Sequence, residues 1–184
     1  MAPFRIIALG DSLTYGYPFG NPLSWVQLTS DEIGVPILNQ GINGDTLAHF
    51  LRRINSDVLD LNPEFCILLG GTNDVYQGVD VELMKSNFTK LTDKILAHKI
   101  LPVVGLPPPT QDEVFEKPLT KFRNWLKRHA KAHSLKVIDF YGPFLDKKKR
   151  ILSVNLEDGV HPSSKGYQVM AQAAVKAFSS LLAQ

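Results

Sequence analysis

Five short apolar runs, each closed by Gly, Asn or Asp and each followed by a longer stretch of helical character, set the strongest constraint on how this chain folds. They lie at Arg5 to Leu9, Pro36 to Asn39, Phe65 to Leu69, Leu101 to Val104 and Lys136 to Ile138. Several are apolar at consecutive positions, so both faces of the strand must be covered, as in a parallel sheet between two helix layers. Between the runs, Met84, Phe88, Leu91 and Ile95 fall at helical spacing on one stripe, and Tyr167, Met170, Ala174 and Leu181 trace another. Further helices are expected near Ser24 to Ile33, Thr46 to Val58 and Leu119 to His133. Strand then helix, repeated about five times, predicts an α/β fold of three layers, α/β/α, with a five-stranded parallel sheet and right-handed crossovers.

No repeat, low-complexity stretch or linker divides residues 1–184, which read as a single domain. A chain of this length buries about 70% of its unfolded surface, enough for a core without covalent staples. Staples are not available in any case, because the one cysteine, Cys66, permits neither an intrachain disulfide nor a cysteine-based zinc site. Hydrophobic residues at 44% and charged residues at 21% exclude a disordered chain. The charge balance, 20 Lys and Arg against 18 Asp and Glu, gives no case for a nucleic-acid or membrane partner. The amino-terminal segment places Arg5 inside a short apolar run, unlike a signal peptide or spanning helix, and a cytoplasmic location is the expectation.

In open α/β sheets ligands bind beyond the carboxyl ends of the strands, so the segments that follow each run are where chemistry is sought. After the first come Gly10, Asp11, Ser12 and Leu13: Ser12 is placed to present a hydroxyl over the sheet edge, or one of Asp11 and Ser12 caps a helix. After the second, Gly41 and Gly44 allow a turn whose N–H a reacting group can approach closely. After the third, Gly70 to Asp74 adds Asn73, whose carboxamide either donates to an oxyanion or closes an Asx-type turn. Three prolines between Leu106 and Thr110 make a rigid loop after the fourth. Beyond the fifth, Asp158 precedes His161 by three residues, a spacing at which a carboxylate can hold an imidazole as a general base; the alternative is a solvated histidine. One topology delivers all of these to one edge, and together they suit acyl transfer.

A second arrangement of the same residues is a metal-assisted phosphatase with Asp11, Asp74, Asp158 and His161 as ligands, although no segment has a dedicated metal-binding spacing. A third is a non-catalytic binding module on the same fold.

These residues resemble the GDSL, or SGNH, serine hydrolases. Gly10-Asp11-Ser12-Leu13 is similar to the first block of that family, Gly44 falls at the glycine of the second, Gly71-Thr72-Asn73-Asp74 fits the third, and Asp158 to His161 fits the Asp-x-x-His fifth. The resemblance implies a flavodoxin-like sheet and a catalytic trio of Ser12, Asp158 and His161. It further implies an oxyanion hole from the N–H groups of Ser12 and Gly44 with the Asn73 amide. No metal or cofactor is implied, and the expected partner is a small-molecule ester, hydrolysed through an acyl-enzyme.

Tyr15 and Tyr76 are expected to line the substrate pocket, being close in sequence to Ser12 and Asn73. A chain this short leaves little length for a lid, which predicts a shallow site for short acyl groups. Cys66 is expected in the core. His49, His98, His129 and His133 are expected as surface groups on helices, and the basic run from Lys147 to Arg150 as a solvated loop.

Overall fold

The structure, a computed structural model, describes residues 5–181. Among them, strands β1 (Ile6–Gly10), β2 (Ile37–Gly41), β3 (Phe65–Leu69), β4 (Leu101–Leu106) and β5 (Lys136–Asp139) form a parallel sheet in the order β2-β1-β3-β4-β5. The helices are α1 (Ser12–Tyr15), α2 (Trp25–Ile33), α3 (Leu47–Asp57), α4 (Thr72–Tyr76), α5 (Val81–Ala97), α6 (Glu113–Ala132) and α7 (Ser164–Leu181).

The unbroken apolar runs are explained by the pleat. Alternate residues Ile7, Leu9, Cys66 and Leu68 pack with α3, α5 and α6 on one face. Their neighbours Ile6, Ala8, Phe65, Ile67 and Leu69 pack with α2 and α7 on the other. A one-residue slip of β1 or β3 would exchange the two faces, so register is fixed by both layers at once. Met84, Phe88, Leu91 and Ile95 are fully buried or nearly so. At about 1.5–3 kcal/mol for each such side chain, their stripe is the main term holding α5 to the sheet. The side chain of Leu181, the last residue of the corresponding α7 stripe, lies outside the described set. Pro102 occupies β4 one residue before pairing with β5 begins at Val103, where its missing donor is tolerated.

Two expectations are corrected. Helix α6 begins at Glu113 rather than Leu119, capped by Asp112, whose side chain accepts the Val114 N–H. Pro118 sits in its second turn and removes only the bond to the Val114 carbonyl, on the exposed side of the helix. Glu116 in the same segment pairs with the buried Arg123, anchoring the early turns. His129 is not a surface group: it is buried, stacked on Trp125 at 4.7 Å between centroids and hydrogen-bonded to Thr92 Oγ1 at 3.2 Å. Burial, with help from nearby His133, lowers its basicity. Among the described residues no helix is long and apolar enough to cross a membrane.

Because β2 and β3 flank β1 on opposite sides, the chain leaves the end of β1 at the switch in strand order, where a crevice opens between the loops.

Candidate active site

Gly10 ends β1, and Asp11 caps the helix that follows, its Oδ1 accepting the Leu13 N–H at 2.9 Å. Neighbouring residues therefore divide the two roles open in the sequence: Asp11 is the cap, and Ser12, the first helical residue, faces the crevice. Ser12 Oγ lies 3.0 Å from Nε2 of His161, 149 residues further along the chain. The segment around His161 is not helical. Asp158 turns it with its own carboxylate, Oδ1 accepting the N–H groups of Val160 at 3.0 Å and His161 at 2.8 Å. Oδ2 then meets Nδ1 of the His161 ring at 2.7 Å. Burial pushes Asp158 up, but these hydrogen bonds from His161 and Val160 outweigh it and hold its carboxyl below the usual range. With the Nδ1 proton directed at a carboxylate, Nε2 is left as acceptor for the serine hydroxyl.

Ser12 shares a cleft of about 280 Å³ with Tyr17, Asn43, Gly44, Asn73, Asp158 and His161. Gly44 has φ +83° and open space where a Cβ would stand, so the loop after β2 presents bare backbone to the cleft. Gly71 allows a close approach of a different kind: its φ is +108°, and a Cβ there would meet Phe122 at 2.7 Å. That turn starts α4 and places Asn73 in the cleft wall, with one amide hydrogen donated to the Asp45 carbonyl at 2.9 Å and the second left for another acceptor.

Residues 8–169, from β1 into α7, match the sequence profile of the GDSL-like lipase/acylhydrolase family. The chain belongs to that family. This GDSL protein is accordingly a carboxylic ester hydrolase. It is 24% identical to an acetylxylan esterase of Geobacillus stearothermophilus, over 82% of this chain and 75% of that protein. It is 23% identical to an arylesterase of Vibrio mimicus, over 91% and 84%. A solved structure of a member of the lipolytic G-D-S-L family from Veillonella parvula superposes with a TM-score of 0.84 at 27% identity, covering 95% of this chain and 97% of that one.

The tyrosines are placed differently from expectation. Helix α1 stops at Gly16, whose left-handed conformation reverses the chain, so that Tyr17 N–H reaches back to the Ser12 carbonyl at 3.1 Å. The Tyr17 ring then packs on His161, 4.6 Å between centroids, and Tyr167 donates to the Tyr17 carbonyl at 2.7 Å. Tyr15 is not in the cleft wall; its backbone lies against Gly41. Tyr76 belongs to an adjoining recess of about 360 Å³, with Thr110, Gln111 and Asp112, which meets the Ser12 cleft at Asp158. Its hydroxyl bonds Thr110 at 2.8 Å and its ring stacks on Phe115. A larger groove between α5 and α6, lined by Asp80, Lys85, Lys121 and Arg128, brings no nucleophile to a base.

The phosphatase arrangement is not assembled. Asp11 and Asp74 are buried, Asp158 and His161 are engaged with each other and with Ser12, and among the described residues no three His, Cys, Asp or Glu side chains are grouped as metal ligands. Asp74 accepts the Leu47 N–H at the start of α3, at 3.1 Å to Oδ2, whereas Asp11 Oδ2 is buried with no partner among the described residues. Burial, with the nearby Asp74 adding to it, raises Asp11 to about 7; burial raises Asp74 to about 6.

An acid whose folded-state pKa is raised keeps its proton where the unfolded chain has lost it. Its stabilisation is therefore complete below about pH 4 and lost as pH climbs through about 7. We expect the protein to lose about 2–3 kcal/mol between pH 5 and pH 8 from Asp11 alone. Asp11→Asn, which keeps the acceptor for Leu13 N–H and has no charge to bury, should flatten that slope. Thermal midpoints of both proteins at the two pH values measure it, and equal slopes would show that Asp11 ionises without cost.

Proposed function

We propose that the protein cleaves small carboxylic esters through an acyl-enzyme on Ser12. The observation that carries this reading is the continuous hydrogen-bond chain from Asp158 through His161 to Ser12, opening on a cleft walled by Gly44 and Asn73. Ser12 Oγ attacks the acyl carbon as its proton passes to His161 Nε2, and Asp158, already bonded at Nδ1, faces the imidazolium that forms. The carbonyl oxygen becomes an oxyanion and takes hydrogen bonds from the Ser12 and Gly44 N–H groups and the Asn73 amide. Ser12 is suited to this because N–H groups in the first turn of a helix have no partner within it. Collapse breaks the ester C–O bond, and the departing alcohol takes the proton from His161. Water then gives a proton to His161 as it attacks the acyl group. The second collapse releases the acid and returns the proton to Ser12.

The cleft is small and open, which favours a short acyl chain, and the acetylxylan esterase relative acts, by its name, on an acetylated substrate. The test is a panel of p-nitrophenyl esters combined with a serine-directed organophosphonate. Acetate should be turned over faster than decanoate, activity should survive EDTA, and one equivalent of reagent should abolish it with the label on Ser12. A preference for chains longer than about ten carbons would contradict the short-acyl assignment, and labelling elsewhere would contradict the nucleophile.

A further inference from the structure

Arg53, on α3, makes no contact with the cleft yet binds the ends of β1 and β2 and the loop that follows β2. Its side chain is 14% exposed, and four of its five N–H donors are directed inward. Nη2 donates to the carbonyl of Gly10 at 2.8 Å, two residues before Ser12. Nη1 donates to the carbonyl of Gln40, near the end of β2, at 3.0 Å, and to Asp57 Oδ2 at 2.7 Å. Nε donates to Asp45 Oδ2 at 2.7 Å. Asp45 follows Gly44 directly, and its carbonyl is the acceptor that orients the Asn73 amide. One guanidinium thus ties the segment leading to Ser12 to the residue between the other two oxyanion donors.

We infer that Arg53 is a positioning residue for the oxyanion hole, holding Asp45 so that the Gly44 N–H and the Asn73 amide converge with the Ser12 N–H on one point. This inference rests on the acyl-enzyme reading of the site. The planar fork is essential to it, because a lysine ammonium offers its donors from one atom and cannot span Asp45, Asp57 and two carbonyls together. Donors aimed at an oxyanion act on the transition state more than on bound ester, so their displacement lowers kcat and leaves KM nearly unchanged.

Arg53→Met is expected to lower kcat on p-nitrophenyl acetate about 10- to 100-fold with KM within about twofold, the scale of a misplacement of about an ångström. In an Asn73→Ala background the same substitution should cost several-fold less, since one of the groups it positions is already gone. Arg52→Met, its exposed neighbour, should leave kcat unchanged. If Arg53→Met does not fold, Arg53→Lys carries the same comparison. A kcat within twofold of the wild type, or an equal loss with and without Asn73, would overturn the inference. The acyl-enzyme reading is judged separately, by whether Ser12→Ala is inactive.

Discussion

Ser12→Ala is expected to lower kcat by about 10⁴- to 10⁶-fold while moving the thermal midpoint by no more than a few degrees. On the acyl-enzyme reading the loss is large because Oγ forms the covalent bond, and among the described residues no other hydroxyl lines the cleft beside His161 except that of Tyr17. What remains would come from the oxyanion donors and from binding, which still act on attack by water. Stability should be spared because the helix cap is Asp11, not Ser12, so alanine at the first helical position breaks no backbone arrangement. Stopped assays on p-nitrophenyl acetate, with active-site titration to exclude wild-type carry-over, measure the loss. Turnover within tenfold of the wild type would mean that the nucleophile is another group or a water.

The second large effect is expected from Asp158→Asn, a fall in kcat of about 10² to 10⁴. Asparagine retains the oxygen that accepts the Val160 and His161 N–H groups, so the turn that carries the ring stays in place. Its amide, however, presents a donor where Oδ2 stood, and the His161 ring answers by placing its proton on Nε2, where it cannot accept from Ser12. The variant therefore separates control of the tautomer from control of the loop. Asp158 is 48% exposed at its side chain, so water can replace part of its role, which favours the lower end of the range. Slowed labelling of Ser12 by the organophosphonate, with unchanged folding, is the accompanying result. Full activity would reduce the machinery to Ser12 and His161.

The sheet was legible because a strand buried on both faces leaves a mark that needs no partner to be read, a run of consecutive apolar residues such as Phe65 to Leu69. The placement of Ser12, Gly44, Asn73 and His161 around one cleft was legible for a related reason: each follows a strand, and parallel strands end at one edge. What sequence did not reveal depends on distance and direction. The turns of α6 before Leu119 tolerate Pro118 because the carbonyl it leaves unpaired, that of Val114, lies on the solvent side, and nothing in the chain says so. Tyr17 rather than Tyr15 reaches the cleft because the left-handed Gly16 reverses the chain after a helix of four residues. Arg53 and Asp57 stand four apart on α3, a recognisable pair, but the reach of the same guanidinium to Gly10 and Gln40 follows from packing alone.

The separation of 149 positions between Ser12 and His161 has a consequence during synthesis. The hydroxyl leaves the ribosome well before the imidazole, which follows all five strands. Until then the nascent chain carries an ordinary, unactivated alcohol that cannot attack the esters and thioesters around it. On the acyl-enzyme reading, reactivity arrives only once the segment that carries His161 and leads into α7 has docked beside Ser12.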